Sequence, residues 1–397
     1  MKQTGNRVAQ DRRLKRPSGR SAIPSFMVMD LMTAAAEAEA AGQHVIHMEV
    51  GQPATPAPEA AKAAAQAAIA KGTLGYTLAL GMPELRERIA RLYGEWYDID
   101  LPARRVVVTN GSSAAFALTF LSVFDSGERV ALPSPGYPCY RHILTALGQG
   151  YEILETGPEN RWMPTVSQIE GVAGKIAGTL IASPNNPTGT MLEPDRLAAI
   201  VQACQANNIW FISDEIYHGL TYGQAAETAL KFSDDVIVIN SFSKYFSMTG
   251  WRVGWMIVPE WLVPTVESLA QNMYICAPAI SQTAALAAFE SIEELERNRR
   301  NYSENREILL SGLPKVGLGN LVPADGALYI YVDVGAYTTD SLAFSRRLLD
   351  ETGIAATSGI DFDEARGGRY LRLSYAGTAD DMREAIRRLA DWDALKV

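Results

Sequence analysis

Three cysteines, Cys139, Cys204 and Cys276, stand far apart in a chain of 397 residues. An odd, scattered set of that kind supports neither a disulfide framework nor a zinc ribbon. Histidine is almost as scarce. His44, His47, His142 and His218 form no HExxH or other close ligand spacing, so no metal site is expected. Charged residues make up only 20% of the chain, too few for a disordered polymer, and the formal net charge is -9. A field of that sign repels the phosphates of nucleic acid and of anionic membranes, and neither is an expected partner. The fingerprints GxGxxG and GxxxxGK[ST] are both missing, which counts against a dinucleotide fold and a P-loop. At the amino terminus Lys2, Arg7, Arg12, Arg13, Lys15, Arg16 and Arg20 cluster, and no apolar run of signal-peptide length follows them. Residues 1–22 read as a flexible basic tail on a cytoplasmic protein.

What is present is apolar residue in quantity, 47% of the chain, enough at this length for two domains with separate cores. Segment 24–42, PSFMVMDLMTAAAEAEAAG, has good helix formers, a repeating apolar face and a glycine stop, and predicts the first helix. HVIHMEVGQP (44–53) predicts a short alternating strand, and an alanine-rich helix follows from about Pro58 to Lys71. Apolar runs then enter polar, glycine- or proline-containing loops again and again: 106–124, 128–137, 178–189, 209–216 and 235–244. Short strands without strict alternation, separated by helical lengths of chain, indicate a mostly parallel sheet covered on both faces, an α/β fold. Sites in such sheets lie at the carboxyl ends of the strands, where these loops fall. From about residue 281 the pattern changes to one long helical stretch, a strand at 327–334, a helix near 340–352 and the run LRLSYA (371–376). The expected organisation is the tail, a helix and strand over 23–50 that pack with the last part of the chain, a large domain over 51–280, and a smaller α+β domain over 281–397.

Four polar clusters have chemical content. Asn110-Gly111-Ser112-Ser113 lies between a strand and a helix, where free backbone N–H groups and two hydroxyls suit a phosphate; a helix cap explains either serine equally well. Asp214 and Glu215 end an apolar strand, a position open to a solvated terminus or to an anion buried against a cationic partner. Lys244 follows another strand, as a surface lysine whose stem lies on apolar neighbours or as a nucleophilic amine whose pKa is depressed by desolvation. Arg372 lies in a strand of the smaller domain, where a solvated face residue is the ordinary reading of an arginine.

In order along the chain stand Gly51-Gln52-Pro53, YTLALGMPELR from Tyr76, NGSS from Asn110, PGYP from Pro135, SPNNPTG (183–189), DEIY from Asp214, SFSK ending at Lys244, TGWRVG around Arg252 and YLRLSYA around Arg372. This ordered set resembles the class I/II aminotransferases of fold type I, the pyridoxal-phosphate enzymes related to aspartate aminotransferase, across nearly the whole chain. The resemblance implies the cofactor pyridoxal 5′-phosphate (PLP). It makes Lys244 the residue that holds the cofactor aldehyde covalently and then carries a proton between the substrate α-carbon and cofactor C4′. Asp214 pairs with the pyridine nitrogen, Tyr217 and Asn186 donate to the phenolate oxygen, and Tyr137 stacks on the ring. Ser112, Ser113, Ser241, Ser243 and Arg252 take the phosphate, joined by Tyr76 from a neighbouring subunit, so that a homodimer with composite active sites is implied. Arg372, with Gly51 and Asn186, takes the substrate α-carboxylate.

The implied reaction moves the amino group of an L-α-amino acid to a 2-oxo acid by a ping-pong route, with a lyase or a 1-aminocyclopropane-1-carboxylate synthase-like enzyme of the same fold as the alternative. A DNA-binding regulator built on this fold needs a packed domain ahead of it, and about twenty residues are too few. Gln52 in place of a common Glu, Leu328 in place of an aromatic residue and Ser358 in place of a Pro-Gly pair depart from the pattern and bear on substrate preference. No Arg or Lys occurs between Val253 and Glu296, where a second arginine for a distal carboxylate is often found. Neutral or apolar donors are therefore expected.

Overall fold

The computed structural model describes residues 17–25, 27–72 and 74–396; most of the expected basic tail, residues 1–16, lies outside the described residues. Twelve strands occur among them: β1 (Ile46–His47), β2 (Val106–Thr109), β3 (Arg129–Ser134), β4 (Gly150–Glu155), β5 (Gly178–Ala182), β6 (Trp210–Asp214), β7 (Ile237–Ser241), β8 (Gly254–Ile257), β9 (Tyr329–Asp333), β10 (Ile354–Ala355), β11 (Thr357–Ser358) and β12 (Tyr370–Ser374). Seven of them form one sheet in the order β2-β8-β7-β6-β5-β3-β4. From β4 through β7 every pairing is parallel, whereas β8 is antiparallel to both of its neighbours. The sheet is α/β and mostly parallel, with a single reversed strand.

Both faces are dry along the central strands, which read as continuous apolar runs, whereas the edge strand β4 is largely part-exposed. In β7, Ile237 and Ile239 join one core cluster with Leu180, Ile212 and Met256, while Val238 joins the other with Ile181, Phe211 and Trp255. Five helices of the amino-terminal part are α1 (Met27–Ala40), α2 (Glu59–Lys71), α3 (Pro83–Tyr97), α4 (Gly111–Val123) and α5 (Cys139–Leu147). Ala115, Phe116 and Leu118 of α4 pack on the first face; Leu85, Ile89 and Tyr93 of α3 pack on the second. Burying these rings and branched side chains gives about 1.5–3 kcal/mol each relative to exposure. The loops at the sheet's carboxyl edge are therefore carried on a stiff layer.

A smaller antiparallel sheet has the order β11-β12-β9, with Arg372 on its central strand opposite Thr357 and Tyr331. β1 pairs in parallel with β10, which ties the chain just after α1 to the carboxyl-terminal part; Leu31 and Ala35 of α1 pack there with Val45, Leu349 and Ala355. The long helix expected from residue 281 is two helices, Ala279–Ala288 and Ile292–Gly312, separated by a 3₁₀ turn at Phe289–Ser291. Glu293 and Glu294 in the first turn of the second favour a new amino terminus there. Strands β4 and β8 and the terminal helix Ala379–Asp391 are additions to the expected elements. β8 has only four residues and directly follows the polar loop after Lys244, so no periodicity marks it. Among the described residues no helix is long and apolar enough to cross a membrane, and no group of three or more His, Cys, Asp or Glu is placed to hold a metal ion.

Candidate active site

The reversed strand builds the site. β2, β6 and β7 end at one edge of the sheet, whereas β8 begins there, with Gly254 paired to both Thr109 and Ser241. Arg252, two residues before β8, is thereby delivered to the edge at which Ser112, Ser113, Ser243 and Lys244 emerge. All five side chains line one cleft of about 310 Å³. Gly51, Tyr137, Asn186, Asp214, Tyr217 and Arg372 line the same cleft. Two expected site residues do not. Ser241 is buried behind Ser243, its Oγ 2.8 Å from the Ser243 Oγ and donating to the Val253 carbonyl. Tyr76 is 82% exposed and outside the cleft.

Lys244 donates from Nζ to the carbonyl of Gly51. Burial, and then the positive charges of Arg372 and Arg252, lower its pKa to about 8, against the opposing pull of Asp214. An amine in that range is still mostly protonated at neutrality but holds far more free base than an ordinary lysine, which makes it a competent nucleophile. Asp214 is 3% exposed and burial raises its pKa to about 6; hydrogen bonds from Tyr140 and the Ile216 N–H and the charge of Lys244 act the other way. A buried carboxylate with that balance is suited to a cationic partner in the cleft.

The adjacent acid has a different fate. Glu215 turns away from the cleft and takes hydrogen bonds on Oε1 from Ser213 Oγ, Thr228 Oγ1 and the Ala229 N–H, yet burial still pushes its pKa up to about 8. His218, three residues on, lies between the hydroxyl of Tyr97 at Nδ1 (2.6 Å) and the Ser183 carbonyl at Nε2 (2.9 Å). Burial lowers its pKa to about 4. Burial thus pushes both members of this second pair towards their uncharged forms, and Asp214 is the carboxyl group that lines the cleft.

At the other end of the cleft, α4 opens at Gly111 with φ +72°, and a β-carbon there would lie 2.5 Å from Arg252 Nη2. Glycine lets the guanidinium approach the helix start. Arg252 itself takes left-handed backbone angles, φ 52° and ψ 51°, and donates from Nη1 to the Thr249 carbonyl at 3.0 Å. Free helix N–H groups, the Ser112, Ser113 and Ser243 hydroxyls and the guanidinium thus converge with no protein carboxylate among them, an arrangement that fits a dianionic phosphate. The amine, the buried acid and this cradle together fit PLP.

Arg372 enters from the small sheet. Its Nη1 donates to Asn186 Oδ1 at 3.0 Å, Nη2 donates to the Glu49 carbonyl, and Nε has no hydrogen-bond partner among the described residues. The guanidinium lies over the Tyr329 ring at 4.4 Å and the Phe362 ring at 4.8 Å. A buried arginine with an unfilled donor is suited to an anionic guest. Its fork also spans three distant segments, 49, 186 and 357.

Sequence reasoning missed Tyr140, whose hydroxyl donates to Asp214 Oδ2, and Tyr329, whose hydroxyl is 2.7 Å from that of Tyr217 and donates to the Gly51 carbonyl. A β-carbon on Gly51 would lie 2.1 Å from the Tyr329 oxygen, so glycine there makes room for this contact. It also missed the apolar wall of Val28, Met29 and Met32 from α1. The three-residue spacing of Tyr137 and Tyr140 was the available signal for the first.

The family description "Aminotransferase class I and II" matches residues 43–389 of this chain. The valine–pyruvate aminotransferase of Mycobacterium tuberculosis is 47% identical over 377 residues, covering 94% of this chain and 97% of that protein. The aspartate aminotransferase of Thermotoga maritima is 33% identical over 376 residues, covering 94% and 97% respectively. Among solved structures, that of an aminotransferase from Mycobacterium tuberculosis matches with a TM-score of 0.94 at 46% identity, over 96% of this chain and 99% of that one.

Proposed function

The chain belongs to the class I and II aminotransferases and acts on amino acid and 2-oxo acid pairs; from that premise we propose a cytoplasmic, PLP-dependent homodimer that works by a ping-pong route and prefers donors with neutral or apolar side chains. The observation that carries this reading is the meeting of Lys244, Asp214, Arg252 and Arg372 on one cleft. Bound PLP supplies an aldehyde for the amine and an electron-poor ring that withdraws charge from the α-carbon. Lys244 would hold the cofactor's aldehyde carbon and would carry a proton between the substrate α-carbon and C4′. Asp214 keeps the ring nitrogen protonated, Tyr217 and Asn186 hold the phenolate oxygen, and Tyr137 covers the ring. Ser112, Ser113, Ser243 and Arg252 anchor the phosphate, with Ser241 holding Ser243 in place. Arg372 fixes the substrate carboxylate beside Gly51 and Asn186, and closure of the small sheet over it excludes water.

Donor preference follows from charge. Among the described residues the cations lining the cleft are Lys244, Arg252 and Arg372, and each has a role in this scheme, so none is left for a distal carboxylate. The wall from α1 is Val28, Met29 and Met32, and the more similar of the two relatives above is a valine–pyruvate enzyme. With pyruvate and 2-oxoglutarate as acceptors, kcat/KM for valine or alanine is expected to exceed that for aspartate by at least about tenfold. Aspartate as the sole efficient donor in such a panel sinks the preference. The homodimer is supported by Tyr76, Leu78 and Ile69, large apolar side chains left 82%, 60% and 59% exposed, of the kind a partner surface covers.

Two further results are expected at the cofactor. Arg252→Ala removes the guanidinium partner of the phosphate and should weaken PLP retention by roughly 10- to 100-fold, read by equilibrium dialysis; Gly111→Ala, which forces the same guanidinium aside, should act in the same direction. The rate of covalent PLP attachment should rise with pH through about 8, because the lowered pKa of Lys244 sets where its free amine appears. A midpoint in the ordinary lysine range, near 10.4, removes the claim that the cleft activates this amine.

A further inference from the structure

Asp214 is held from both sides before any ligand arrives. Its Oδ1 accepts the Ile216 N–H at 3.1 Å and its Oδ2 accepts the Tyr140 hydroxyl. Tyr140 is itself fixed: it is 5% exposed, and its ring packs edge-on against Phe116 (5.0 Å, 70°) and Tyr137 (5.3 Å, 81°). Tyr137 is the residue assigned above to stack on the cofactor, so one aromatic pair connects the ring's cover to the acid beneath it. Resting on the PLP reading, we propose that Tyr140 is the positioning residue that sets the orientation and charge state of Asp214 for the cofactor's ring nitrogen.

The chemistry supports a donor and only a donor. Burial, followed by the charge of Asp214, pushes the Tyr140 phenol well above its ordinary range, so its proton stays in place at every pH the enzyme meets. Burial raises the Asp214 carboxyl to about 6 even with this hydrogen bond in place. Removing the bond therefore moves the carboxyl further up, towards neutrality at physiological pH, where it no longer stabilises a cation. The other ionisable groups felt by Asp214 are Lys244 from the loop after β7, Tyr137 from the loop before α5, and Glu215 and Tyr217 beside it. The two tyrosines are pushed well above 10 by burial. Glu215 has its own donors and no hydrogen bond to Tyr140 among those described.

The test measures binding. Pyridoxamine 5′-phosphate has the ring nitrogen and the phosphate but no aldehyde, so its affinity does not depend on covalent attachment to Lys244. Its dissociation constant, followed by fluorescence from pH 5 to 9, should show an acid limb that reports the Asp214 carboxyl. Tyr140→Phe keeps the ring and removes the proton donor, and the limb should move up by roughly one pH unit or more. Installing 3,5-difluorotyrosine at position 140, a stronger donor, should move it down. The ligand's own phosphate ionisation is common to all three proteins and cancels in the comparison. A structural role alone would weaken binding equally at every pH; an unmoved limb in Tyr140→Phe overturns the proposal. If that variant does not fold, the fluorinated protein decides by itself, and a limb that stays in place there is equally fatal. Wild-type protein that binds neither PLP nor pyridoxamine phosphate overturns the proposal together with the reading on which it rests.

Discussion

Lys244→Ala is expected to abolish the borohydride-trappable attachment of PLP while leaving noncovalent cofactor on Arg252 and the serines. Among the described residues Lys244 is the lysine lining the cleft, and no second amine lines it. Transamination should fall by roughly 10⁴-fold or more, since one side chain supplies both the covalent tether and the proton carrier. The measurement is peptide mapping of the reduced adduct beside a single-turnover half-reaction. In that half-reaction wild-type enzyme mixed with an accepted donor should form one 2-oxo acid per active site and stop until an acceptor is added. Retained labelling at another lysine refutes the assignment. Methylamine supplied in solution should restore part of the Lys244→Ala rate, because a small free amine can enter the space the side chain leaves.

Arg372→Ala carries the second large effect. Arg372 is 3% exposed, and its guanidinium lies over two aromatic rings and presents an Nε without a hydrogen-bond partner among the described residues. Loss of a desolvated carboxylate partner costs about 2 to 5 kcal/mol, so kcat/KM for every α-amino acid should drop by roughly 30- to 5,000-fold. Cofactor affinity should hardly change, because Arg372 has no part in the phosphate cradle. Arg372→Lys is not expected to rescue, since an ammonium cannot reproduce a planar fork that also reaches Asn186 and the Glu49 carbonyl. Equal losses in cofactor binding and in kcat/KM would show instead that Arg372 holds the two sheets together and does not anchor substrate.

These two residues differ in how visible they are along the chain. Lys244 announces itself: a lone ammonium directly after an apolar strand, with Ser241 and Ser243 before it and Arg252 after it, is a local pattern. Arg372 has no such local mark, since an arginine in a five-residue strand is commonplace. Its assignment leaned on the ordered likeness of the whole chain to a family. Tyr140 and Tyr329 were illegible for a different reason. Each acts through hydrogen bonds to residues more than seventy positions away, and no periodicity encodes such partners. The adjacent acids Asp214 and Glu215 look alike in sequence, and only their neighbours separate a carboxyl raised to about 6 from one raised to about 8.

The sequence by itself determined the buried strands β2, β3, β5, β6 and β7, because a strand covered on both faces must be apolar at nearly every position. It also determined where the polar loops fall, the glycine at 111 and the ammonium at 244, because hydrophobic runs and backbone freedom are properties of neighbouring residues. Tertiary structure decided which loops meet. The reversal of β8 places Arg252 at the edge where Lys244 emerges, and the small sheet turns Arg372 onto Asn186 and the carbonyl of Glu49. Burial around that meeting point then lowers the pKa of Lys244 to about 8 and raises that of Asp214 to about 6. Strand order and desolvation are set by packing across hundreds of residues, so the chemistry of the cleft exists only once the chain has closed around it.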